Sequence, residues 1–354
     1  MSEVINRRSL LGAAATAAAV GFTASLTKAA ESSAEDRPRL PLIVVLREKL
    51  SDENDQKLRA ISSQIKVLPA DSFRDSLGEI DAIYGSIGAD DVKAAKKLRW
   101  VQCISAGVEH LLTPPLIESD IVVTNGKGCY APEIAEHVFG LLFAMTRRIG
   151  YCAREQRNHK WQNEVDPIEL RGKTMGIIGL GGIGRETARR AKAMDLHVIA
   201  VDAEPMTIER MAMVDEVRLV DDGLDDLLGQ SDIVVNATPF TKRTHHMLGA
   251  DQFAKMKQGA YFINVSRGRI VQTDALMAAL RSKHLAGAGL DVTDPEPLPA
   301  DHPLWDEPNI FITPHIAGVS QFGRLRVQNV FVENVRRFTS SLPLLNQVDK
   351  IKGY

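Results

Sequence analysis

The chain has 354 residues, 44% hydrophobic and 25% charged, with 43 basic and 45 acidic side chains and a formal net charge of −2. That length suits about two domains and that composition a soluble globular protein, while the near-neutral balance gives no electrostatic case for a nucleic-acid partner. Three cysteines, Cys103, Cys129 and Cys152, make no disulfide framework and lack metal-ligand spacing, so no metal is expected.

At the N-terminus, Asn6-Arg7-Arg8-Ser9-Leu10-Leu11 leads into an alanine-rich run ending near Leu26, then Thr27-Lys28-Ala29-Ala30. Paired arginines, a mildly apolar core and small residues at its end read as a twin-arginine export signal over residues 1–30, which implies a periplasmic protein. The alternatives are a cytoplasmic protein and one tethered to a membrane by an uncleaved N-terminus. Leu10 to Leu26 is at the lower edge of spanning length and only weakly apolar, so no stable membrane span is expected after signal removal. Cleavage after Ala30 would take away Arg7, Arg8, Lys28 and Glu3, leaving a formal charge of −4.

Leu40 to Leu46 reads as a first buried strand, Ser51 to Ser62 as a helix with a polar face. Ile65 to Leu68, Ala82 to Tyr84, Trp100 to Ser105 and Ile121 to Thr124 read as short strands. Such alternation predicts a parallel sheet with helices on both faces. One long helix is expected from Ala131-Pro132, with proline in its first turn, to about Arg157. Further strands follow near Thr174, Val198, Ile233, Tyr261, Gly287 and Ile310, and a last helix over Ser320 to Thr339 returns to the first domain. The expected fold class is α/β, with two Rossmann-like or flavodoxin-like, doubly wound parallel-sheet domains and a cleft between them. A discontinuous substrate-binding domain, 38–126 and 316–354, would flank a dinucleotide-binding domain, 127–315, with the active site in the cleft. Hinges near Asn125-Gly126 and Pro314 would let it close.

The dinucleotide assignment starts from Gly179-Leu180-Gly181-Gly182-Ile183-Gly184. A glycine-rich turn alone is a weak signal. Here Thr174 to Ile178 precedes it as a strand, Arg185 to Met194 can continue as a helix, and His197 to Val201 ends at Asp202, eighteen residues after Gly184. Strand, turn, helix, strand and acid in that order fit a dinucleotide site. Helix N–H groups and their partial positive charge would meet the phosphates. Asp202 would accept from the adenosine ribose hydroxyls and repel a 2′-phosphate, which favours NAD over NADP.

Three further residues carry chemistry. Arg267, in Asn264-Val265-Ser266-Arg267-Gly268, ends a predicted strand, and its planar, permanently charged fork matches a carboxylate. Glu296 lies between Pro295 and Pro297, which restrict where its carboxylate points. His315 follows the strand Asn309 to Ile312. With a carboxylate partner to orient its ring, it becomes a general acid/base.

Together these segments resemble the D-isomer-specific 2-hydroxyacid dehydrogenases. The resemblance spans about Leu40 to Tyr354 and rests on Gly179 to Gly184, Asp202, Ala237-Thr238-Pro239, Asn264 to Gly268, Gly289-Leu290-Asp291, Glu296-Pro297-Leu298 and Pro314-His315. It implies that Arg267, Glu296 and His315 are catalytic. Arg267 binds the substrate carboxylate, Glu296 pairs with His315, and His315 protonates the carbonyl oxygen as hydride arrives from NADH. Backbone N–H groups of Ser105, Ala106, Gly107 and Val108 grip the same carboxylate. Thr238, Pro239, Val265, Ser266, Arg267 and Asp291 join Gly179, Gly181, Gly182, Ile183, Gly184 and Asp202 in the cofactor site, with Asp291 near the nicotinamide carboxamide. Members are usually dimers joined through the helix near Ala135 to Arg148, so a homodimer is expected, and Trp161 could reach a neighbouring subunit. Tyr84, Ser86 and Tyr130 could shape substrate choice. Glutamate at 296, where formate dehydrogenases of the family carry glutamine, disfavours that branch. The chain ends soon after its last helix, without the C-terminal regulatory domain of long phosphoglycerate dehydrogenases.

The expectation is an NAD(H)-dependent 2-ketoacid reductase of the glyoxylate/hydroxypyruvate reductase-like branch, acting on a small 2-keto or 2-hydroxy acid. Two alternatives stand beside it: a phosphite-type dehydrogenase of the same family, and a non-catalytic, dinucleotide-sensing protein that works by binding partners.

Overall fold

Five short apolar runs between residues 42 and 124 pair side by side as one parallel sheet: β1 (Leu42–Leu46), β2 (Ile65–Pro69), β3 (Ala82–Tyr84), β4 (Trp100–Gln102) and β5 (Val122–Thr124), in the order β2-β1-β3-β4-β5. The computed structural model describes residues 40–354 apart from Glu164, Met206 and Pro308, together with Ile5 and Asn6. The export signal expected at 1–30 otherwise lies outside the described residues. No helix among the described residues is long and apolar enough to cross a membrane. Contacts divide the molecule into two units, one of residues 40–130 and 320–354, the other of 131–319 with Ile5–Asn6.

In the first unit, successive residues of each strand enter opposite cores, as a period of two requires. Ile83 joins Val45, Val101 and Val123 on one face, while Ala82 and Tyr84 join Leu42, Val44 and Trp100 on the other. Both faces are therefore buried, which is why the strands read as continuous apolar runs. Helix α1 (Asp52–Ala60) starts where Ser51 caps it, its hydroxyl accepting from Asn54 N–H at 3.3 Å. The later helices of this unit are α2 (Phe73–Ser76), α3 (Ala89–Ala94) and α4 (Pro114–Glu118). The unit's last helix, Gly323–Thr339, stacks Phe331 on Trp100 at 5.6 Å and on Tyr84 at 4.5 Å. Its Asn334 joins a buried chain in which Trp100 Nε1 donates to Thr124 Oγ1, and Thr124 Oγ1 and Asn334 Nδ2 both donate to Gln102 Oε1. Residues 127–130 stay with this unit because Cys129 is buried in its core and Tyr130 Oη donates to Ile104 O at 2.7 Å. The division therefore falls after Tyr130 rather than at the expected residue 126.

The second unit opens with α5 (Ala131–Thr146) and α6 (Ile149–Arg157). One continuous helix to Arg157 was expected; the chain breaks at Arg147-Arg148 instead. Thr146 O accepts from Ile168 N–H at 2.7 Å, so it is engaged outside the helix, and Arg148 turns left-handed at φ +56°. Then come β6 (Thr174–Ile178), α7 (Gly182–Ala193), β7 (His197–Asp202), α8 (Ile208–Met211), β8 (Glu216–Leu219), α9 (Val220–Gln230), β9 (Ile233–Asn236), α10 (Ala250–Lys255), β10 (Ala260–Asn264), α11 (Thr273–Arg281), β11 (Leu285–Leu290) and β12 (Ile310–Ile312). The helix of residues 323–339 in the first unit is α12. The seven parallel strands run β8-β7-β6-β9-β10-β11-β12, with Ile5–Asn6 antiparallel on the outer edge of β8. Counted from β6 this is the order 3-2-1-4-5-6-7, which reverses direction at β6 and leaves a crevice beyond its carboxyl end. β8 was not anticipated, since a four-residue strand with charges at alternate positions has no apolar run to announce it. The core of this unit centres on Phe253 and Phe262, packed edge to face at 5.4 Å.

Truncating Phe331, which is fully buried, leaves a void beside both Trp100 and Tyr84. Phe331→Ala is expected to lower unfolding free energy by about 3–5 kcal/mol, read from the urea midpoint. A loss under about 1 kcal/mol would mean that α12 is not held through this ring.

Candidate functional site

The glycine turn between β6 and α7 is shaped to receive something. Gly179 sits at φ +93°, and a Cβ on Gly184 would lie 2.1 Å from Gly179 O, so strand and helix meet in a way only glycine permits. A Cβ on Gly181, by contrast, would meet nothing within 4 Å. Gly181 caps α7 without a side chain, so the first-turn N–H groups of Gly182, Ile183 and Gly184 have no partner within the helix. Open space over unpaired donors at a helix N-terminus fits a pyrophosphate. Asp202 closes the turn from β7. Its Oδ2 accepts from Leu180 N–H at 2.7 Å and its Oδ1 from Glu204 N–H at 3.0 Å, which locks the carboxylate's position and leaves each oxygen a second lone pair.

The other candidate residues lie at the carboxyl ends of β9 to β12. Asn236 and Asn264, both buried, bond amide to amide at 3.1 Å. Asn236 Oδ1 also accepts from Thr238 Oγ1 at 2.7 Å, Asn264 Oδ1 from Ser266 N–H at 3.2 Å, and Asn264 Nδ2 donates to Arg267 O at 3.1 Å. One amide pair thus shapes the loops carrying Thr238, Pro239, Val265, Ser266 and Arg267. Val265 is buried in the core, so only its backbone is available to a ligand. Arg267 is extended and part-buried, with Nη1 donating to Ser266 O at 2.8 Å. Behind it, a Cβ on Gly268 would fall 1.9 Å from Thr293 O, so the arginine loop lies directly against the segment leading to Glu296. That segment is braced by Thr273 Oγ1 donating to Asp294 O at 3.1 Å and Thr293 Oγ1 to Pro295 O at 2.8 Å.

Glu296 and His315 meet: Nδ1 of the imidazole lies 2.5 Å from Glu296 Oε1, and both side chains remain partly open to solvent. His315 is left-handed at φ +53°, uncommon for a residue with a Cβ and a frequent mark of functional sites. Asp291, 2% exposed, is the anchor of this turn. Its Oδ1 accepts from Thr313 Oγ1 at 2.7 Å and Ile316 N–H at 2.9 Å, and its Oδ2 from Ala317 N–H at 2.9 Å. The carboxylate expected beside the nicotinamide is therefore largely engaged in holding the His315 turn. His137 on α5 reaches the same group, Nε2 lying 2.8 Å from Thr313 Oγ1; nothing in the sequence pattern marked it. It stands at a half-buried position of a mostly apolar helix, and only the sheet brings Thr313 to it.

In the unit of residues 40–130 and 320–354, the loop after β4 presents backbone donors. Ser105 O accepts from Gly126 N–H, Ala106 O from Asn125 Nδ2 at 2.7 Å and Gly107 O from Ser105 Oγ at 2.7 Å. With their carbonyls engaged, the N–H groups of Ala106 and Gly107 have no backbone acceptor among the described residues, an arrangement suited to an anion. Beside it a cavity of roughly 270 Å³ is lined by Arg47, Glu48, Ser86, Cys103, Ser105 and His110. It lies beyond the carboxyl ends of β1, β3 and β4, where the strand order of this sheet reverses. Arg47, which the sequence did not single out, is fixed there by Nη1 donating to Ser86 O at 2.6 Å. Burial pushes the Cys103 thiol up, away from nucleophile chemistry. Tyr84 is core, with its phenol raised by burial, and Trp161 is 96% exposed.

Residues 139–317 match the family described as D-isomer specific 2-hydroxyacid dehydrogenase, NAD binding domain. The chain belongs to this family. The glyoxylate reductase of Thermofilum pendens is 36% identical over 269 residues, covering 75% of this chain and 78% of that protein. The D-3-phosphoglycerate dehydrogenase of Archaeoglobus fulgidus is 34% identical over 314 residues; these are 86% of this chain, which spans only 59% of that relative's length. Among solved structures, the D-isomer specific 2-hydroxyacid dehydrogenase from Xanthobacter autotrophicus Py2 in complex with NADPH and MES gives a TM-score of 0.76 at 30% identity, covering 89% of this chain and 100% of that one. The family is one of nicotinamide-dinucleotide-dependent oxidoreductases acting on CH–OH groups, and the open turn at Gly181 with its helix donors fits such a cofactor.

Asn264→Ala would leave the buried Asn236 amide without its partner. It is expected to cost about 1–3 kcal/mol of stability by urea denaturation, with no change in the cooperativity of unfolding. An unchanged midpoint would show that this amide pair does not hold the two loops.

Proposed function

We propose that the chain is an NAD(H)-dependent D-2-hydroxyacid dehydrogenase that reduces small 2-keto acids, with glyoxylate and hydroxypyruvate the first candidates. The observation that carries this reading is the contact of His315 Nδ1 with Glu296 Oε1 at 2.5 Å, on a turn braced against the Arg267 loop. A bound nicotinamide supplies or takes up the hydride. Glu296 holds the proton of His315 on Nδ1, which frees Nε2 to face the substrate oxygen. His315 gives its Nε2 proton to that oxygen in reduction and takes it back in oxidation, and Glu296 stabilises the imidazolium. Arg267 binds the substrate carboxylate through its fork.

The cofactor is held by Gly179 to Gly184 and Asp202, with Thr238, Pro239, Ser266 and the backbone of Val265 around it. A carboxylate at 202, locked by two backbone donors, repels a 2′-phosphate and supports a preference for NAD. The reading includes a homodimer, for which the exposed Trp161 offers an apolar contact.

NADH oxidation followed at 340 nm against a panel of 2-keto acids tests the reaction directly. His315→Ala is expected to lower kcat by about 10²–10⁴-fold; a near-normal rate would remove the acid/base role. Asp202→Ala is expected to raise KM for NADH and lower the discrimination against NADPH, each by about tenfold. Unchanged ratios would overturn the cofactor preference.

A further inference from the structure

His137 is the first residue of a relay that ends at the proposed acid/base. Its Nε2 lies 2.8 Å from Thr313 Oγ1 and 3.6 Å from Asp291 Oδ1, and its side chain is 22% exposed. Thr313 has one hydroxyl proton and donates it to Asp291 Oδ1 at 2.7 Å. The contact with His137 is then a hydrogen bond only if the ring donates, which places a proton on His137 Nε2. Asp291 in turn receives the chain beyond: His315 N–H on its backbone oxygen at 2.8 Å, Ile316 N–H and Ala317 N–H on its carboxylate at 2.9 Å each. Three consecutive N–H groups thus end on one residue.

The turn needs that grip. A left-handed backbone at His315 costs on the order of a kcal/mol for a residue with a Cβ, and it persists only where its surroundings over-determine it. Asp291 supplies three of those constraints, and the rotamer of Asp291 depends on Thr313, which His137 orients. A histidine packed against a buried carboxylate also ties the turn to α5, the helix that opens this unit.

We propose that His137 is a positioning residue for this reaction: through Thr313 and Asp291 it holds the backbone turn that aims His315. This rests on the acid/base reading of His315. Because His137 acts through Thr313 and Asp291 on the His315 turn, its effect is expected on kcat while the KM for NADH stays put.

The test compares four variants of the full chain. His137→Phe keeps the ring's bulk without a donor, His137→Gln restores an N–H near the Nε2 position, and Thr313→Val keeps shape while breaking the link. The fourth combines His137→Phe with Thr313→Val. Readouts are kcat and KM with the best 2-keto acid, and amide exchange at residues 315–317 in the protein without cofactor. His137→Phe and Thr313→Val are each expected to lower kcat about tenfold, roughly one lost hydrogen bond, and to speed exchange at Ile316 and Ala317. His137→Gln is expected to recover kcat to within about threefold and to restore protection. The double variant should be no worse than the poorer single one, because the two substitutions break the same chain. Equal losses in the Phe and Gln variants, multiplicative losses in the double variant, or normal exchange in His137→Phe would each overturn the proposal. If His137→Phe fails to fold, Thr313→Val carries the same expectations. Should His315→Ala retain its rate, the acid/base reading fails, whereas the exchange measurements still decide whether His137 holds the turn.

Discussion

A row of buried polar groups stitches together the carboxyl ends of four adjacent parallel strands, and the rest of the candidate site hangs from it. Asn236 ends β9 and bonds to Asn264 at the end of β10; Asp291 N–H, just past β11, donates to Asn264 O at 3.0 Å; Thr313, just past β12, donates to Asp291. In an apolar interior each of these groups would be costly alone. Paired in sequence they satisfy one another, and because parallel strands all end on the same edge, the pairing also fixes where each following loop departs. Thr238, Ser266, Arg267 and His315 all leave from that edge.

The loops are then pressed together where side chains are missing. Gly184 allows α7 to rest on Gly179, and Gly268 allows the Arg267 loop to rest on Thr293. The second contact is the reason a guanidinium and a proline-framed glutamate, 29 residues apart in the chain, share one braced surface. His315 completes the set from the neighbouring strand, its left-handed turn held by Asp291 and its ring by Glu296. Rigid loops on a rigid edge suit chemistry that needs a proton donor at one fixed position.

The five-stranded unit solves a similar problem with different parts. Its loop after β4 spends the carbonyls of Ser105, Ala106 and Gly107 on local partners and leaves the N–H groups of Ala106 and Gly107 over. Side chains from the ends of β1 and β3 reach the same place, since the order of that sheet also reverses there. Arg47 and Ser86 are therefore neighbours across 39 residues of chain. α12 supports this sheet from one face, with Phe331 on Trp100 and Asn334 completing the polar chain through Thr124 and Gln102.

Much of this was legible in the chain alone. Apolar runs announced eleven of the twelve parallel strands as such or nearly so, because parallel sheets need continuous hydrophobicity; β8, short and alternately charged, lacked that signal. The glycine turn, Asp202, Arg267, Glu296 and His315 stood out because turn geometry and ionic chemistry depend on residue type at close spacing. What the sequence could not convey is contact across long separations. The break in α5–α6 comes from Ile168 capturing a carbonyl 22 residues earlier. The engagement of Asp291 with the His315 turn, the approach of His137 to Thr313 across 176 residues and the placement of Arg47 beside Ser86 are equally products of packing. Local residue choice determines strands, helices, turns and the candidate acid and base; which buried polar group satisfies which other is decided only when the sheet assembles and water is excluded.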